Sequence, residues 1–138
     1  MPLSEETVAT RPKILLVEDN APVRRALQLL LSANGYEVRS YGGSVGLEQD
    51  PEALASDCLI ADLVLPDRNA IDLLASLRSH GWNGVSVLVS GHLTPELTSR
   101  AHKAGYDAVF AKPLQDAVLV KEIAWLLSTR ESGLLPAP

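Results

Sequence analysis

The sequence predicts a three-layer α/β sandwich, a five-stranded parallel sheet of order 2-1-3-4-5 with five helices over its two faces. Three observations lead there. Short strand-like runs at 13–17, 37–41, 58–61, 85–89 and 108–111 alternate with stretches of helical periodicity. The runs at 13–17, 58–61 and 85–89 are apolar with little or no alternation, the pattern of strands buried on both faces of a parallel sheet. The run at 37–41 alternates polar and apolar, which suits an edge strand and favours placing the second strand at the rim.

In order, residues 1–12 are polar, lack periodicity and end at Pro12, so a flexible leader is expected before a folded domain over 13–129. Lys13-Ile-Leu-Leu-Val17 is the first strand, followed at once by Glu18-Asp19-Asn20. From Ala21 to Asn34, Val23, Ala26, Leu27, Leu30 and Leu31 form one stripe opposite Arg24, Arg25 and Gln28, and Gly35 ends the helix as a left-handed cap. Between Gly42 and Asp57 only a short, irregular helix is expected, because Gly46 and Pro51 interrupt the pattern.

The third strand, Cys58 to Ala61, stops at Asp62, and the chain turns through Pro66. Asn69 then caps a helix to His80 that carries Ile71, Leu73, Leu74 and Leu77. Val85 to Val89 is the fourth strand and ends at Ser90-Gly91-His92. Thr94, Pro95 and Glu96 supply a cap, a first-turn proline and an early acid for a helix to Ala104. Ala108 to Ala111 is the fifth strand, finishing at Lys112-Pro113. A last helix spans Gln115 to Thr129 with a core stripe of Leu119, Val120, Ile123 and Leu127, and residues 130–138 are expected to form a flexible tail or linker stub.

Composition narrows the function. At 138 residues the chain is one domain, large enough to bury a core without metal or disulfide staples. Its net charge of −5 offers no basic footprint, so direct nucleic-acid binding is not expected. No apolar run reaches membrane-spanning length and no signal-peptide pattern opens the sequence, so the expected location is the cytoplasm. The single cysteine, Cys58, lies within a strand and reads as a small buried apolar residue.

The chemistry gathers at strand ends. Taken alone, Asp62 is a turn or cap aspartate, but Glu18 and Asp19 follow strand one, Ser90 strand four and Lys112 strand five. In the order 2-1-3-4-5, strands one and three flank the switch point where such sheets bind ligands, so Asp19 and Asp62 face each other across it. Carboxylates that close repel unless a cation is present, and a few carboxylates with room for water and a phosphate oxygen suit Mg²⁺. Lys112 adds a positive charge and Ser90 a hydroxyl for the remaining oxygens of a phosphoryl group. A carboxylate nucleophile in that company reads as a phosphoryl acceptor that forms an aspartyl phosphate.

At this point the sequence resembles the receiver domains of two-component response regulators, the CheY-like members of the flavodoxin-like folds. The match runs from Lys13 to Ser128 and rests on Leu16-Val17-Glu18-Asp19, Asp62-Leu-Val-Leu-Pro66, Ser90-Gly91 and Lys112-Pro113. The resemblance implies that Asp62 is phosphorylated by a histidine kinase or histidine phosphotransfer protein. It implies that Asp19 and Asp62 ligate Mg²⁺, that Glu18 acts through water, that the Val64 carbonyl is a further ligand and that Lys112-Pro113 is cis. It also implies a phosphoacceptor and not a turnover enzyme, read out by a protein partner on the face of the fourth helix, fifth strand and fifth helix, as a monomer or weak homodimer.

Three positions depart from the family pattern. Val109 stands where a Tyr or Phe switch residue is usual, with Phe110 facing the other side of the strand; Ala70 replaces a glycine, and Leu65 a methionine. On the last helix Val118 and Trp125 fall beside Lys121 and Glu122, an apolar pair available to a partner. His92 is near the proposed site, His80 and His102 read as surface residues, and Trp82 reads as packing.

Two rivals fit less well. A haloacid-dehalogenase-type hydrolase needs a second aspartate two residues after the nucleophile, where Val64 stands; a flavodoxin-like module wants a Ser/Thr/Gly-rich loop where Glu18-Asp19-Asn20 stands. With no output segment after Thr129, a stand-alone regulator or an excised receiver is expected.

Overall fold

The computed structural model describes residues 11–131, so most of the expected leader and tail lies outside the described residues. Five strands, β1 (Lys13–Val17), β2 (Glu37–Tyr41), β3 (Cys58–Asp62), β4 (Val85–Ser90) and β5 (Ala108–Ala111), form one sheet of order β2-β1-β3-β4-β5. Every pairing is parallel. The helices between them are α1 (Ala21–Ala33), α2 (Pro51–Leu54), α3 (Ala70–Ser79), α4 (Pro95–Lys103) and α5 (Asp116–Glu131).

Side chains alternate across each strand, yet both faces are covered, which is why the central runs are apolar without interruption. Ile14, Leu16, Cys58, Ile60, Val87 and Val89 pack with Leu27 and Leu31 of α1 and Leu119, Ile123 and Leu126 of α5. Leu15, Val17, Leu59, Ala61 and Leu88 face the other way, against Ala53 of α2, Leu73, Leu74 and Leu77 of α3, and Ala101 of α4. The β2 strand is exposed or half-buried along its length, as its alternating sequence requires of an edge.

The helix boundaries follow the caps. Asn20, Asn69 and Thr94 each accept a backbone N–H at the start of α1, α3 and α4, and Gly35 takes the left-handed φ of 94° that ends α1. Trp82 is buried and donates its indole N–H to the Ser56 carbonyl at 2.8 Å. Cys58 is fully buried, and burial pushes its thiol pKa up.

Four details differ from expectation. Pro51 opens α2 instead of breaking it, because a proline at the first helical position forfeits no intrahelical bond, and Asp50 caps the Glu52 amide at 2.9 Å. A single 3₁₀ turn at Leu47–Gln49 precedes it. Ala26 is exposed although it lies on the expected apolar stripe of α1. On α5 Leu119, Ile123 and Leu127 are buried as expected, but Leu126 joins them while Val120 is only half-buried, and the helix runs two residues past Thr129 to Glu131. A helix apolar on almost every side gives periodicity no single face to choose.

Candidate functional site

The carboxyl ends of β1, β3, β4 and β5 converge on one rim, and the backbone ladders continue far enough to fix the residues there. The Glu18 amide bonds the Tyr41 carbonyl at 2.9 Å, the Leu63 amide the Val89 carbonyl at 2.8 Å, and the Lys112 amide the Ser90 carbonyl at 2.9 Å. Residues just past the strands are thus held almost as firmly as the strands themselves.

The structure brings Glu18, Asp19, Asp62 and Lys112 together. Carboxylate oxygens of Glu18, Asp19 and Asp62 lie within 4.8 Å of one another. Lys112 Nζ donates to Glu18 Oε1 at 2.8 Å and to Asp62 Oδ2 at 2.6 Å. Glu18 and Asp62 are buried, at 1% and 9% exposure, whereas Asp19 is open to solvent. Asp62 Oδ1 accepts the Val64 amide at 3.2 Å, which folds the chain back over the carboxylate directly after the strand. The Lys112-Pro113 peptide is cis, as the family resemblance implied.

Burial governs the Glu18 carboxyl and raises its pKa; hydrogen bonds from Lys112 and the Asn20 amide pull the other way, and the nearby Asp62 charge adds to the rise. Burial opposes charge on Lys112, but the bonds to Asp62 and Glu18 outweigh it and hold the ammonium pKa above its ordinary value. The cluster is therefore two shielded acids sharing one firmly protonated lysine, with a third acid at the mouth.

The donor set fits Mg²⁺. It consists of hard carboxylate oxygens close enough to share one ion, and one of the three acids faces water, as suits an ion that keeps part of its hydration shell.

Ser90 ends β4 one residue past Val89, the register partner of Asp62; it is buried, and its hydroxyl accepts the His92 amide at 3.1 Å. The Val64 side chain points out at 66% exposure, and His92 is exposed. Val109, Val118 and Trp125 are not part of the cluster. Val109 is half-buried against the α3 side of the sheet, while Phe110 packs on the opposite face with the core beneath α1 and α5. Val118 and Trp125 lie on the outer side of α5, at 48% and 55% exposure.

Sequence reading missed Arg24. The apolar stripe places it on the solvent side of α1, but its Nη1 donates to the Glu18 carbonyl at 2.7 Å and braces the first acidic strand end. Helical side chains lean toward the N-terminus, so a long cation in the first turn reaches back to the preceding strand; that was the available signal. An apolar groove of about 490 Å³ lies beside Lys112, lined by Val23, Ala26, Leu27, Pro113 and Leu114.

Comparison with known proteins agrees with this geometry. The family model described as "Response regulator receiver domain" matches residues 14–124. The transcriptional regulatory protein FixJ of Rhizobium meliloti is 29% identical over 108 residues, covering 78% of this chain and 53% of FixJ. The sensory/regulatory protein RpfC of Xanthomonas campestris is 34% identical over 127 residues, covering 86% of this chain and 17% of RpfC. The chain thus spans about half the length of one relative and a smaller part of the other. Among solved structures, a CheY-like receiver domain protein from Methanospirillum hungatei superposes with a TM-score of 0.81 at 23% identity, covering 90% of this chain and 99% of that one, a likeness of fold. With a family match across most of the folded residues, the same strand order and an acidic rim crossed by a lysine, the chain belongs to the response regulator receiver domains.

Proposed function

We propose that this receiver domain accepts a phosphoryl group on Asp62 from the phosphohistidine of a histidine kinase or histidine phosphotransfer protein, and that its phosphorylation state controls binding of a downstream protein. The observation that carries the reading is the Lys112 ammonium bonded to both Glu18 and Asp62 at 2.8 and 2.6 Å, with Asp19 alongside. A carboxylate oxygen of Asp62 forms the bond to phosphorus as the P–N bond breaks, and the electron pair leaves on the donor imidazole.

Glu18, Asp19, Asp62 and the Val64 carbonyl would hold Mg²⁺. When bound, the ion supplies positive charge that offsets the repulsion between the acceptor carboxylate and the incoming phosphoryl oxygens. Lys112 keeps its hydrogen-bonding reach to Asp62 and is available to a phosphoryl oxygen, and the Ser90 hydroxyl is available to another. The domain catalyses its own phosphorylation and slow dephosphorylation and turns over no separate substrate.

Intact-protein mass spectrometry after incubation with acetyl phosphate and Mg²⁺ tests the reading. Wild type gains one phosphoryl group, whereas Asp62→Asn gains none and Asp19→Asn far less; wild type in EDTA also gains little. Equal incorporation in wild type and Asp62→Asn, or undiminished incorporation in EDTA, overturns it.

A further inference from the structure

The loop between β3 and α3 begins with Leu63 and Val64 directly after Asp62. Backbone bonds close its base, where the Ala70 amide donates to the Leu63 carbonyl at 2.9 Å and Val64 pairs with Asn69 as an isolated antiparallel bridge. Its outer turn is held by side chains that reach the segment after β2. Asp67 accepts the Ser44 amide at 3.0 Å and the Ser44 hydroxyl. Arg68 donates from Nε to Ser44 Oγ at 2.7 Å and from Nη2 to the Ser44 carbonyl at 3.1 Å. The same guanidinium forks onto both oxygens of Glu48 at 2.9 and 2.8 Å, and Ser76 of α3 donates to Glu48 at 2.6 Å. Ser44 is fully buried, and the Arg68 and Glu48 side chains are only 23% and 14% exposed.

We infer that Arg68 is a positioning residue for the Mg²⁺ site: its fork ties the β3–α3 loop to Ser44 and Glu48 and so fixes the Val64 backbone beside Asp62. The inference rests on the proposed function, because Mg²⁺ and the Val64 carbonyl belong to that reading. Mg²⁺ demands near-ideal octahedral placement of its oxygens and tolerates little displacement. A ligand carried on a loop therefore costs affinity in proportion to the loop's freedom, and outer supports that remove that freedom act on affinity without touching the ion. Arg68 is suited to the task because one planar group binds Ser44 and Glu48 together. Lysine keeps the charge but offers a single point, and it cannot satisfy the Ser44 hydroxyl, the Ser44 carbonyl and both Glu48 oxygens.

Arg68→Lys and Ser44→Ala both leave the net charge unchanged, so a change in metal affinity in either reports placement and not long-range electrostatics. The full chain and each variant are titrated with MgCl₂ at constant ionic strength without phosphoryl donor, following amide shifts around Asp19 and Lys112, and melting is recorded alongside. The midpoint in Arg68→Lys rises about tenfold, the lower end of what outer supports of a metal site contribute, and that in Ser44→Ala rises less. In acetyl phosphate assays the Mg²⁺ requirement of Arg68→Lys shifts upward in parallel, while the rate at saturating Mg²⁺ changes little. A lowered melting temperature with an unmoved Mg²⁺ midpoint shows a purely structural latch and overturns the inference while the proposed function stands. Absence of Mg²⁺ binding in wild type overturns both. Should Arg68→Lys not fold, Ser44→Ala and Ser76→Ala decide by the same midpoint.

Discussion

Lys112 Nζ stands 2.6 Å from Asp62 Oδ2 and 2.8 Å from Glu18 Oε1, so one ammonium is shared by two acids delivered by different strands. Removing it leaves a buried Glu18 facing Asp62 and Asp19 with no compensating charge. Truncating one member of a buried ionic group is expensive because the partners stay behind, and partial exposure of Lys112 moderates the effect here. Lys112→Met is expected to lose about 2 kcal/mol of stability without metal. Millimolar Mg²⁺ is expected to bind the folded acids and to restore part of the loss. Urea denaturation with and without MgCl₂ measures both; equal stability of variant and wild type contradicts the coupling.

The Glu48 carboxyl gives a pH signature to the link between the 3₁₀ turn and the β3–α3 loop. Hydrogen bonds from Arg68 and Ser76 lower its pKa from 4.5 to about 2. A depressed folded-state pKa means that the unfolded chain takes up the proton first as pH falls. The contribution of Glu48 to stability is therefore complete above pH 4.5 and is lost as pH falls toward about 2. In urea denaturation across a pH series, wild type exceeds Glu48→Gln at neutral pH, and the gap narrows steadily below pH 4.5. A gap that stays constant down to about pH 2 rules out the depressed carboxyl.

The acidic rim and the Glu48 network were not equally readable from the sequence. Asp19, Asp62 and Lys112 were legible because an apolar run that ends abruptly at a charge marks a strand end, and parallel topology brings every strand's carboxyl end to one rim. The strand order was legible from β2, whose half-polar pattern admits only an edge position. The Ser44–Arg68–Glu48–Ser76 network was not legible, because its members lie in separate segments and each alone reads in the sequence as an ordinary polar residue. Arg24 was half-legible: its place on the helix was clear, but its partner is a backbone carbonyl, and a carbonyl leaves no trace in residue type. On α5 the outer placement of Val118 and Trp125 was legible from their charged neighbours, but nearly continuous apolarity hid the burial of Leu126.

Under the proposed function, Val64 is expected to affect how long the phosphoryl group survives. Its side chain is exposed beside Asp62, and its amide is bonded to that carboxylate; it and exposed His92 are expected to flank the approach of an attacking water. An isopropyl group cannot orient water, whereas a carboxamide can both donate and accept. Val64→Asn is expected to lose its phosphoryl group about threefold faster, a change of less than about 1 kcal/mol in barrier. Phosphate release after removal of the donor measures the decay, and an unchanged rate rejects a role for this position.

The readout of phosphorylation should centre on the turn after β4. The Ser90 hydroxyl accepts the His92 amide at 3.1 Å, so drawing that hydroxyl toward a phosphoryl oxygen disturbs a bond to the very turn that leads into the Thr94 cap and α4. An aromatic ring exchanging between inside and outside would amplify the movement, but Val109 is small and half-buried, and Phe110 is committed to the other face of the sheet. Little volume changes place, and the response is expected to be modest and concentrated in Gly91 to Thr94 with decay along α4. Val118 and Trp125 on the outer side of α5 are already exposed and supply a constant apolar part of the face formed by α4, β5 and α5. Amide shifts with and without beryllofluoride test the first half: large changes confined to α2, with Gly91 to Ala104 silent, refute it. For the second half, Trp125→Ala is expected to weaken partner binding in both phosphorylation states by about 1 kcal/mol or more, as loss of an interface tryptophan commonly does, while the rate of Asp62 phosphorylation stays the same. Weakening in only one state would show instead that the α5 surface itself moves on phosphorylation.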